Sequence, residues 1–106
     1  MVSIHNPAKD DDSLDQGFKV FGDVYTLAIV QVLSSATRRF NELQRSLGNI
    51  SPTTLTDRLK KMEQYGLIAQ QKHTIDQLSV IYALTEKGKK MMPVLGAIES
   101  FSKKFL

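Results

Sequence analysis

Cysteine is absent from all 106 residues, which removes disulfides, thiolate nucleophiles, iron–sulfur ligation and thiol-based redox sensing. Histidine is nearly absent: His5 and His73 are too few for a structural zinc site. Long hydrophobic runs are missing as well. Ala28-Ile29-Val30 sits in a window broken by Thr26 and Gln31, far short of the ~20 apolar residues of a membrane span. Residues 1–12 carry neither the basic start nor the apolar run of a signal peptide. No Gly-x-Ser-x-Gly, His-Glu-x-x-His or glycine-rich phosphate loop occurs, and no pair of carboxylates falls into one assignable pocket. The expectation is a soluble, cytoplasmic, non-enzymatic protein without cofactor or metal.

What is present suits one globular domain. Hydrophobic residues make up 42% and charged residues 24%, close to the globular average, so the chain can bury a core. Residues 1–11 are polar, contain Asn6-Pro7 and end in acidic residues; they read as a loose tail ahead of a domain over 12–106. The charges are segregated. Residues 1–23 hold five aspartates against two lysines, giving −3, while residues 24–106 hold twelve Lys or Arg against six acids, giving +6. A basic body behind an acidic head points to a polyanionic partner for the body.

Periodicity and caps divide the chain into short elements. A helix is predicted over 14–21, with Leu14, Phe18 and Phe21 on one face and Gly22 ending it. A second, over 24–34, is apolar nearly all round and should form the buried centre. Arg38-Arg39-Phe40 suits a bridging strand. Asn41 with Gln44 suits a capping box for a helix through Leu47. After Gly48-Asn49, Ser51 caps and Pro52 starts a helix to about residue 65, with Leu55, Leu59 and Met62 as its inward stripe. Gly66 supplies a left-handed stop. Two strands over 67–73 and 79–84 follow, with alternation at Val80, Tyr82 and Leu84, and Thr85 caps one last helix over 86–104. Two helices joined by a tight glycine-containing turn and followed by a hairpin make a winged helix-turn-helix, mainly α with a small β-hairpin.

The same residues carry a family resemblance. Arg39-Phe40-Asn41-Glu42-Leu43, Ile50-Ser51-Pro52, Leu55-Thr56-Asp57-Arg58-Leu59, Gly66-Leu67-Ile68 and Tyr82-Ala83-Leu84-Thr85-Glu86-Lys87-Gly88 follow in order. They resemble the HxlR-type winged helix-turn-helix transcriptional regulators over most of the chain. The resemblance implies a homodimeric prokaryotic DNA-binding regulator whose terminal helices form the dimer interface and whose helix from Ser51 enters the major groove. Two positions depart from the pattern. Members often carry a cysteine before the first helix, where Asp12 stands here, and commonly Gly-Lys-Trp-Thr before the second, where Asp23-Val24-Tyr25-Thr26 stands.

If Leu55, Leu59 and Met62 face inward, the opposite face is left to solvent or to DNA. Thr53, Thr54, Asp57, Arg58 and Lys61 are expected there. Helix-turn-helix proteins read base edges with the start of the recognition helix, so Thr53, Thr54 and Arg58 are candidate base contacts and Ser51, Lys60 and Lys61 candidate phosphate contacts. Plainer roles compete: first-turn placement for the threonines, and a solvated Arg58 oriented by Asp57. Lys72 and His73 lie near the wing tip, His73 being either a contact or an ordinary exposed side chain. Arg38 and Arg39 either reach phosphate or pair with Glu42.

The last helix speaks to a protein partner. Val94, Ile98, Phe101 and Phe105 recur at helical spacing with no later element to cover them. Leu14, Phe18 and Phe21 are their complement, in the same chain or in a second copy. The combined expectation is a homodimer on inverted-repeat double-stranded DNA, with room for an unknown small-molecule effector between the second helix and the dimer helices. The alternative is a winged helix used for non-specific DNA packing or protein contact.

Overall fold

The Leu55–Leu59–Met62 stripe read from the sequence forms the middle of the core. In a computed structural model, which describes residues 12–72 and 80–106, Leu55, Leu59 and Met62 are sealed against Ile29, Val30 and Leu33 of the second helix, with Leu43, Ile50, Leu67, Ile68 and Met91 closing the cluster. The elements are α1 (Ser13–Phe21), α2 (Val24–Ser35), β1 (Arg38–Arg39), α3 (Phe40–Ser46), α4 (Pro52–Gln64), β2 (Ile68–Lys72), β3 (Val80–Leu84), α5 (Glu86–Lys89) and α6 (Met92–Phe105). The strands form one antiparallel sheet in the order β1-β3-β2, with Arg38 opposite Tyr82 and Ile68 opposite Leu84. Among the described residues no single helix is long and apolar enough to cross a membrane.

Local chemistry explains most of the boundaries. Gly48 and Asn49 both take positive φ, 70° and 60°, which turns the chain sharply between α3 and α4. The Gln44 side chain stitches that turn, its Nε2 donating to the Ile50 carbonyl at 2.9 Å. At the far end of α4, Gly66 at φ 74° and the bonds Leu67 N–H to Met62 O and Gly66 N–H to Glu63 O make a Schellman stop.

Several expectations change. The capping box of α3 was expected at Asn41 and Gln44. The cap is instead Arg39, whose N–H donates to the Glu42 carboxylate at 2.9 Å, so Phe40 opens the helix rather than extending the strand. The single helix expected over 86–104 is two. Pro93, the second residue of α6, has no N–H for the Lys89 carbonyl, and the chain turns through Lys90 and Met91 before α6 begins. Strand β3 shows no alternation, every residue being half-buried, because it is the central strand. Helix α2 is central but not sealed all round: Thr26, Ile29, Val30 and Leu33 are buried, whereas Val24 is exposed.

A clasp centred on Thr85 holds the end of α4 to the base of the hairpin. The Thr85 hydroxyl donates to the Gly66 carbonyl at 2.6 Å and accepts from the Gly88 N–H at 3.0 Å, and the Thr85 N–H donates to Leu67 O at 3.1 Å. Gly88 is buried there, and a Cβ on it would run into the Leu67 carbonyl and approach Leu84 Cδ2 at 3.1 Å. Gly88→Ala should therefore destabilise the fold by about 1–3 kcal/mol. Gly17→Ala, in α1 with nothing near the added methyl, should stabilise by up to about 1 kcal/mol through helix propensity. Denaturant unfolding of both variants checks the pair; equal effects would mean the clasp is not tight.

Candidate nucleic-acid interface

Helix α4 presents its N-terminus and one long face to solvent. Ser51 caps it, its Oγ accepting from the Thr54 N–H at 3.1 Å and donating to Thr54 Oγ1 at 2.8 Å. The cap holds the first turn: Pro52 has no N–H, Thr54 N–H is taken by Ser51 Oγ and Leu55 N–H by the Ser51 carbonyl at 3.0 Å. Thr53, Thr56, Asp57 and Lys60 are exposed. With Pro52, Thr54 and Arg58 they line a shallow hollow on the outer surface.

The expected site residues divide into groups. Ser51, Thr53 and Thr54 stand together at the exposed start of α4. Arg58 and Lys61 lie not on the outermost face but on the flank turned toward the α1–α2 junction. Arg58 is half-buried and pairs with Asp23 as well as with Asp57, while the Lys61 ammonium donates to the Lys19 carbonyl at 3.2 Å. Periodicity places a residue at an angle around its helix, but it does not say which neighbouring element occupies that angle. Thr56 and Lys60 take more of the outward face than was expected for them. The sequence suggests only a phosphate contact for Lys60 and no role for Thr56. The signal was available for Lys60, which lies nearly opposite the Leu55–Leu59–Met62 stripe, whereas Thr56 stands about 100° from Leu55, on its flank.

The remaining basic candidates are not on α4. The Arg38 guanidinium folds back on the end of α2, Nη1 donating to Thr37 O at 3.0 Å and Nη2 reaching Ser35 Oγ at 3.5 Å. Glu42 accepts instead from the Arg39 backbone N–H at 2.9 Å, and among the described residues no ion pair joins it to Arg38 or Arg39. The Arg39 side chain is exposed. Lys72 ends β2, and His73 lies outside the described residues. Burial pushes the Tyr82 phenol above the usual tyrosine range, helped by Glu63, so it adds no charge near neutral pH.

A second exposed region is apolar. Leu14, Phe18, Val94, Ile98, Phe101 and Phe105 are all exposed, Phe105 at 67%. The Phe101 and Phe105 rings tilt against one another with centroids 5.1 Å apart. Phe21 differs from this set, being half-buried against the core. Helices α1 and α6 both lean on α2, and a groove of about 450 Å³ lies between α2 and α6, lined by Leu27, Ala28, Met92, Leu95 and Ile98 among others.

The helix–turn–helix with its hairpin defines the winged helix-turn-helix class. A family model, the HxlR-like helix-turn-helix, matches residues 20–106, and the chain belongs to that family. It is a DNA-binding transcriptional regulator of helix-turn-helix type, with prokaryotic relatives. It is 29% identical over 92 residues to the regulator YodB of Bacillus subtilis, covering 87% of this chain and 82% of YodB. It is 32% identical over 78 residues to the uncharacterised regulator YvaP of the same species, covering 74% of this chain and 72% of YvaP. The solved reduced form of YodB superposes with a TM-score of 0.80 at 28% identity, over 92% of this chain and 95% of that one. A MarR-family regulator of Porphyromonas gingivalis superposes at 0.81 with 26% identity, over 96% and 100%.

Removing the cap tests the start of α4 directly. Ser51→Ala should lower stability by about 1 kcal/mol and loosen the first turn, weakening DNA binding beyond what the loss of folded protein explains. Denaturant unfolding and a binding titration on the same preparation check both effects.

Proposed function

We propose that residues 12–106 act as one unit in the cytoplasm, binding an inverted-repeat operator as a homodimer and performing no catalysis. In this reading α4 lies in the major groove of each half-site. Thr53, Thr54 and Arg58 meet base edges, and Ser51, Lys60, Lys61, Arg38, Arg39, Lys72 and His73 meet the backbone or the adjacent groove. The observation that carries the reading is the exposed face of α4, capped by Ser51 and open to solvent at Thr53, Thr56, Asp57 and Lys60. The uncovered stripe on α6 supplies the reason for two copies, since an apolar face of that extent gains stability when a second copy covers it. Leu14, Phe18 and Phe21 with Val94, Ile98, Phe101 and Phe105 form the seam. A small apolar effector would find room in the α2–α6 groove.

Selection from random duplex DNA should enrich an inverted repeat; equal binding to every duplex would mark a packing protein instead. On the selected site Arg58→Ala should cost about 1–3 kcal/mol, with a smaller loss on random DNA. Lys61→Ala should weaken binding to all sequences alike and reduce the salt slope by roughly one unit. Equal loss on both DNAs for Arg58→Ala would make that residue a phosphate clamp.

Sedimentation should show a wild-type dimer at micromolar concentration. Phe101→Asp combined with Phe105→Asp should give a monomer or an insoluble chain, because charge would enter an apolar seam. A wild-type monomer would remove the seam from the reading.

YodB has been solved reduced, diamide-treated and quinone-bound. This chain has no thiol, so diamide should leave the DNA affinity of the purified protein unchanged. Methionine oxidation is a slower route. Rapid loss of binding on diamide treatment would contradict this.

A further inference from the structure

One ion pair ties the exposed face of α4 to a different helix. Arg58 Nε donates to Asp23 Oδ2, and Arg58 Nη1 donates to Asp57 Oδ2 at 3.1 Å. The other oxygen of Asp23, Oδ1, accepts the Tyr25 N–H at 3.0 Å and caps α2. A single carboxylate therefore binds the start of α2 and the middle of α4. The pair is well shielded, with side-chain exposures of 29% for Arg58 and 19% for Asp23, against 75% for Asp57. Among the described residues Nη2 of Arg58 carries no protein partner, and Arg58 borders the hollow formed by Pro52, Thr53, Thr56, Asp57 and Lys60.

We propose that Asp23 is a positioning residue for sequence reading: it holds the Arg58 guanidinium so that Nη2 faces the groove. The proposal rests on the reading of α4 as the groove helix and Arg58 as a base contact. An unrestrained arginine gives up rotamer freedom when it meets a base, and it can equally swing to a phosphate. Arg58 has already given up that freedom on folding, because two of its nitrogens are held by carboxylates on two elements. Asp23 and Asp57 also offset its positive charge, so its pull on phosphates in general is weakened while its directed hydrogen bonds remain.

This arrangement gives opposite signs for two quantities that a purely structural role would lower together. Asp23→Asn keeps a good helix cap and removes the charge; Asp23→Ser is a second capping variant without charge. The full chain as wild type, each Asp23 variant, Arg58→Ala and the Asp23→Asn/Arg58→Ala double variant are carried through selection from random duplex. Affinities are then measured on the wild-type site and on random duplex at one salt concentration, with thermal melts as the folding control.

Asp23→Asn should erase the preference at the same base-pair position as Arg58→Ala and lower the specific-to-random affinity ratio at least about fivefold. Its affinity for random duplex should hold or rise, and it should add nothing to Arg58→Ala. If Arg58→Ala itself leaves the preference intact, the base-contact reading fails and takes the proposal with it. If Arg58→Ala erases the preference while both Asp23 variants keep it, the positioning role alone is overturned. Tighter specific binding by Asp23→Asn overturns it as well, since the carboxylate would then be competing with DNA for Arg58.

Discussion

Helix α4 must bury Leu55, Leu59 and Met62 and still leave its opposite face open, and the rest of the molecule is arranged around that requirement. Helix α2 supplies Ile29, Val30 and Leu33 on one side, and Ile50, Leu67 and Ile68 close the cluster from the turn and the hairpin. The two tight reversals flanking α4 are consequences. Gly48 and Asn49 bring the chain in, and Gly66 takes it out into β2, each at positive φ. With its ends fixed in this way, α4 has little freedom to rotate, and the residues opposite its buried stripe are committed to the outside.

Thr85 and Gly88 extend the same constraint to the hairpin. The hydroxyl of Thr85 bridges the Gly66 carbonyl and the Gly88 amide. Gly88 in turn lets Leu67 come close enough for its carbonyl to accept the Thr85 N–H. These bonds tie the end of α4, the foot of the hairpin and α5 together. Beyond α5, Pro93 redirects the chain, so α6 leaves the winged-helix body at its own angle with an exposed apolar stripe. A winged-helix body and a last helix that leans on α2 with an exposed apolar stripe follow from a few backbone requirements.

Membership of the HxlR-like family sets the class of activity, while two aspartates give this chain its own character. Asp12 stands where members often carry a cysteine, so the chain has no thiol there to modify. Asp23 stands where glycine is common, and its carboxylate joins α2 to Arg58. Relatives near 30% identity share the scaffold; features built on single side chains do not carry over with it.

Much of this was legible in the sequence because it depends on local rules. Caps at Ser51 and Thr85, left-handed breaks at Gly48-Asn49 and Gly66, and the period of Leu55, Leu59 and Met62 are written in short windows, and the winged helix-turn-helix follows from their order. The resemblance named the family from motifs in those same windows. The cap of α3 was misplaced because Asn41 is the better cap in isolation, whereas β1 pairing with β3 holds Arg39 extended and makes it the cap instead. The break at Pro93 was missed because the apolar spacing runs across it. Periodicity set Arg58 at an angle around α4, but only the packing of the α1–α2 junction beside it decided that Asp23 would hold it. A salt bridge between residues 35 positions apart leaves no trace in local pattern, since it exists only once two helices have been brought together by a core that neither residue belongs to.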